Sequence, residues 1–63
     1  MIQLTKIKYD KKTQEESVVP LFLYKNDIIC LYKDRKGVFI VTNQGTMHKV
    51  PYKIKELEEH LEI

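Results

Sequence analysis

The sequence predicts a small α+β domain: a five-strand antiparallel meander followed by one C-terminal helix. Three observations predict it. Val and Ile together number twelve and Thr adds four, while Ala and Trp are absent. β-branched side chains of this kind pack well on a pleated surface. Turn-forming residues recur at spacings that suit hairpins. After residue 50 the apolar period changes from that of a strand to that of a helix. With 63 residues the chain holds one domain, and a monomer of that size buries only about 60% of its unfolded surface.

Strands are expected near residues 2–9, 18–25, 28–33, 38–43 and 46–50. The polar stretch Asp10–Ser17 connects the first two as a hairpin loop. Asn26-Asp27 forms a tight link, without the glycine of a strong two-residue hairpin. Asp34-Arg35-Lys36-Gly37 and Asn43-Gln44-Gly45 are better turns, because Gly37 and Gly45 can adopt positive φ. Ile54, Leu57 and Leu61 then fall at i, i+3 and i+7, one face of a helix over residues 51–62. Pro51 suits its first turn, where a missing N–H costs nothing. A helix of that length persists only if it packs on something.

Both faces of the middle strands are apolar. Val19, Leu21 and Leu23 alternate with Val18, Phe22 and Tyr24; Ile29 and Leu31 with Ile28, Cys30 and Tyr32; Phe39 and Val41 with Val38 and Ile40. A sheet covered on one side alternates apolar and polar instead. Three inward helix residues cover one face at most. The other is expected to be closed by self-association, most simply a two-fold dimer, with Phe22, Tyr24, Val38 and Ile40 on the contact face. The alternative is a sheet that curls toward a small barrel and encloses its own second face.

Composition excludes several classes of protein. At 43% hydrophobic and 32% charged residues, with two Gly and two Pro, the chain is neither disordered nor low in complexity. A single cysteine, Cys30, forms no internal disulfide. In Ile28-Ile29-Cys30-Leu31 it is expected as a small buried thiol. The opening Met1-Ile2-Gln3-Leu4-Thr5-Lys6 lacks the pattern of a signal peptide, and no apolar run approaches the roughly 20 residues that span a bilayer. A soluble, cytoplasmic protein is the expectation.

Nothing in the sequence resembles a catalytic motif. His48 and His60 are too few for a zinc site beside one cysteine. Ser17 lacks a Gly-x-Ser-x-Gly context, Glu15-Glu16 are adjacent rather than paired, and the two glycines form no phosphate loop. The chain reads as a non-enzyme without cofactor or metal. Charge is uneven along it: residues 1–50 carry nine Lys/Arg against five Asp/Glu, a net +4, whereas residues 51–63 carry a net −2. Lys33, Arg35, Lys36 and Lys49 gather around the turns, with Tyr32 and Phe39 close by, a combination that can contact phosphates and stack on bases. The same residues also suit an ordinary solvated turn. Lys6, Lys8, Lys11 and Lys12 suit an edge guarded against aggregation.

The run Asp27-Ile28-Ile29-Cys30-Leu31-Tyr32, then Gly37-Val38-Phe39-Ile40-Val41-Thr42, Gly45 and Leu57-Glu58-Glu59-His60-Leu61, resembles the first half of LytTR-type DNA-binding output domains over about residues 22–62. The later half of that family, where a His-Arg-Ser segment and neighbouring loops contact DNA, has no counterpart in these residues, so no DNA-contact position carries over. The opening Met1–Lys6 and Ile40-Val41-Thr42-Asn43 are similar to small FlbD-type flagellar proteins. Those proteins have a Leu-Asn-Gly turn where this chain has Ile7 through Ser17. Both resemblances imply a meander capped by a helix. The expected function is that of a small regulatory or adaptor protein that binds another, unidentified protein and associates with itself. The alternative is a nucleic-acid-binding protein that uses the basic turn.

Overall fold

The computed structural model describes residues 1–61. Its elements are β1 (Ile2–Asp10), β2 (Glu15–Leu23), a 3-10 turn (Lys25–Asp27), β3 (Ile28–Asp34), β4 (Gly37–Thr42), β5 (Met47–Val50) and α1 (Ile54–Leu61). All strand pairings are antiparallel, which gives the α+β meander with a C-terminal helix. The strands divide into two sheets, β1-β2 and β3-β4-β5, and among the described residues no barrel closes. The break falls at Lys25–Asp27. Without a glycine at Asn26-Asp27 the chain does not make a two-residue hairpin. It winds instead into a 3-10 turn, with Asp27 N–H donating to the Tyr24 carbonyl at 2.9 Å. Asn43 N–H donates to the Asp27 carbonyl at 2.8 Å and fastens that turn to the β4–β5 connection.

The first hairpin is longer than its polar sequence suggests. β1 runs to Asp10 and β2 starts at Glu15, so only four residues remain as loop. Asp10 makes this possible. Its carboxylate accepts from Lys12 N–H at 2.9 Å, its carbonyl accepts from Gln14 N–H at 2.8 Å, and Gln14 takes a φ of 59° to close the turn. From Lys8 to Val18 every residue is exposed, so this end of the hairpin extends beyond the core.

The core lies where the hairpin and α1 cover one side of β3-β4-β5. It contains Leu4, Leu21, Leu23, Val38, Ile40, Val50 and Leu57. In β4 the residues facing it are Val38, Ile40 and Thr42. The expected self-association face therefore needs correction. Val38 is 7% exposed and Ile40 is fully buried, while Phe22 and Tyr24 point away from the core at 52% and 60% exposure. Both parities of β4 are apolar, and the helix and hairpin together selected the one that became the inside. Tyr52 ties β1 to the segment before the helix: its hydroxyl accepts from Thr5 N–H at 3.1 Å and bonds the Thr5 hydroxyl at 3.0 Å.

The helix begins three residues after Pro51, not on it. Glu56 sets the start, because its carboxylate accepts from the Lys53 N–H at 3.0 Å, half of a capping box. Leu57 and Leu61 are its buried residues, with Ile54 partly buried at the edge. The expected end at residue 62 lies outside the described residues. Among the described residues no helix is long and apolar enough to cross a membrane.

Gly37 and Gly45 have φ of 142° and 82°, as the turn signals require. A Cβ on Gly37 would lie 3.2 Å from Lys49 Cε, the yielding end of a long side chain, and one on Gly45 would meet open space. Strain, not a clash, should therefore dominate. Gly37→Val and Gly45→Val are each expected to destabilise the fold by about 1–3 kcal/mol. Urea unfolding midpoints check this; an unchanged midpoint in either would show that its turn relaxes freely.

Candidate interaction surface

Side chains of β3-β4-β5 that point away from α1 form two cross-strand rows. Cys30, Val41 and Met47 make one, and Tyr32, Phe39 and Lys49 the other. The Tyr32 and Phe39 rings are 6.1 Å apart between centroids and tilted by 43°, within the range of favourable aromatic pairs. Tyr32, Met47 and Cys30 are exposed, while Phe39 and Val41 are half-buried by their neighbours. No described element covers this outer face.

Cys30 corrects an expectation, for it is exposed rather than buried. The ladder slips between Ile28 and Cys30, where β3 carries a bulge. Ile28 and Leu31 both pack against the core, three residues apart, and Cys30 turns outward opposite Val41. Ile29, on the bulge itself, is 63% exposed.

The four basic residues divide. Lys49 lies in the row beside Phe39, and its Nζ is 3.9 Å from Glu16 Oε2, which links the meander to the hairpin. Arg35 and Lys36 are exposed in the β3–β4 turn, which Lys36 N–H braces by donating to Asp34 Oδ1 at 2.8 Å. Lys33 stands opposite Val38, so its side chain leaves the strand on the helix side, at the sheet edge. Lys49 thus stands on the outer face, Lys33 on the inner side, and Arg35 and Lys36 in the turn at the end of the sheet.

The titratable groups capable of chemistry lie on different sides. Cys30 is on the outer face. His48 stands opposite Ile40 on the inner side, and His60 meets the Tyr52 ring edge-on at 5.7 Å. Among the described residues no group of three His, Cys, Asp or Glu could hold a metal ion. His48 is held below its ordinary pKa of 6.5, first by burial and then by the positive charge of Lys6. The unfolded chain therefore takes up this proton at a higher pH than the folded one, and stability is lost as pH falls below about 6.5. The urea midpoint of the wild type is expected to drop more than that of His48→Asn between about pH 7.5 and 5.5. Equal drops would remove His48 as the cause.

Sequence reasoning missed Ile29, Val41 and Met47 as surface features. The alternation placed Ile29 and Val41 on one of two apolar faces without saying which lies outside, because a bulge and the choice of inner parity are decided by pairing. Comparison with protein-family models, with characterised proteins and with solved structures finds no match to the chain.

Proposed function

We propose that this chain is a small non-enzymatic regulatory or adaptor module that acts by binding another protein and also associates with itself. One observation carries it: Tyr32, Phe39, Val41, Met47 and Cys30 form a continuous apolar face on a three-stranded sheet whose other side is already packed. Exposed apolar patches of this kind, rimmed by polar residues, mark interaction sites. Aromatic and Met side chains are also enriched in the centres of protein interfaces.

The test is capture from a lysate with wild type and with Tyr32→Glu/Met47→Glu, both positions being exposed enough to leave the fold intact. A protein retained by the wild type, lost with the double variant and indifferent to nuclease supports the proposal. Equal capture by both, or no capture, counts against it.

A second function is favoured by the Tyr32–Phe39 pair with Lys49 beside it and Arg35 and Lys36 in the adjoining turn. Rings for base stacking next to cations for phosphates are the elements of a single-stranded nucleic-acid surface. Such binding would weaken steeply with salt. Absence of a gel shift with a mixed oligonucleotide pool at about 50 mM salt would remove it, since electrostatic affinity is greatest when salt is low.

A further inference from the structure

We propose that two copies of this chain join edge to edge through β3, antiparallel about a two-fold axis, so that two three-stranded sheets continue as one of six strands. This rests on the self-association in the function proposed above and assigns it to a surface other than the outer face. Among the described residues β3 is an edge strand of its sheet, and its outward backbone groups are therefore a template for another strand. Beside it, between β3 and α1, runs a groove of about 340 Å3 whose apolar lining is Ile28, Ile29, Cys30, Leu31 and Leu61. Ile29, at the bulge, forms part of the groove wall and is 63% exposed. One edge thus carries an apolar hollow with an exposed apolar side chain in its wall, which serves as the knob. A two-fold axis seats each knob beside the other copy's hollow, as isologous contacts require.

Charge selects a second copy as the occupant. Lys25 and Glu58 stand at the groove, near the start of β3. Antiparallel pairing brings the far end of the other β3, with Lys33 and the Asp34-Arg35-Lys36 turn, to that place. Lys33, Arg35 and Lys36 then approach Glu58, and Asp34 approaches Lys25. The acidic helix and the basic turn, which contribute to the uneven charge of the sequence, answer each other across the axis. The competing occupant is water, because a bulge and a lysine on an edge strand are also devices against pairing.

Sedimentation equilibrium at micromolar concentration decides between them. The wild type is expected at twice the 7.5 kDa chain mass. Ile29→Lys should be a monomer with unchanged circular dichroism, since its site is already exposed. Glu58→Lys should weaken association about two- to five-fold, as reversal of an exposed ion pair does. Adding Lys33→Glu to it should recover most of that loss. A monomeric wild type at about 100 µM, well above the dissociation constants of standard protein interfaces, overturns the proposal. So does a dimer that survives Ile29→Lys and dissociates in Tyr32→Lys, which would place self-association on the outer face. Binding of another protein is read with Tyr32 and Met47 instead, so failure of either proposal is recognised separately.

Discussion

Leu57→Ala is expected to lower stability by about 2–5 kcal/mol, the range for truncating a large aliphatic side chain in a packed core. Leu57 is fully buried and belongs to the same cluster as Leu4, Leu21, Ile40 and Val50. It stands in the middle of α1, an eight-residue helix that is too short to persist in water without tertiary contacts. Removing its central anchor therefore leaves a cavity and also loosens the helix. A domain of this size has on the order of 3–9 kcal/mol in total, at the usual stability per residue. The variant should thus show a large drop in urea midpoint or partial unfolding at 25 °C. A midpoint within experimental error of the wild type would show that α1 is not anchored on the sheet.

Ile40→Ala is the second large effect, also expected at about 2–5 kcal/mol. Ile40 lies at the centre of β4, between Leu31 and His48 in the ladder, with no exposed surface. Its neighbour in the chain, Phe39, faces outward, and Phe39→Ala should cost visibly less because part of that ring is already in water. Phe22→Ala, at a position half exposed, should cost less again. Thermal and urea midpoints for the three variants give the order. If Phe39→Ala proved more damaging than Ile40→Ala, the outer face of the sheet would be a packed surface.

Much of the fold was legible because it is encoded locally. Gly37 and Gly45 mark turns that need positive φ, and both have it. Leu57 and Leu61 repeat at helical spacing, and both are buried. Leu21 and Leu23 alternate with Phe22, and the alternation is kept, since a strand turns successive side chains to opposite faces. The candidate surface was legible only in part. Tyr32, Phe39 and Lys49 were singled out and stand in one cross-strand row, whereas Lys33 left that group through its parity.

What the sequence determined by itself is the inventory of elements: five strands, the turns between them and one amphipathic helix. These follow from φ/ψ preferences and from periods of two and 3.6, which act over a few residues. What only the tertiary structure decided is which side of each strand is inside, and where the sheet breaks. Val38 and Ile40 offered an apolar face no better than that of Phe39 and Val41, and the packing of α1 and the β1–β2 hairpin chose between them. The bulge at Ile28/Cys30, which exposes Ile29 and the thiol, arises from the match of β3 to β4 and not from either strand alone. Burial is a property of pairs of surfaces, and a chain that is apolar on both faces does not say which one its own helix will cover.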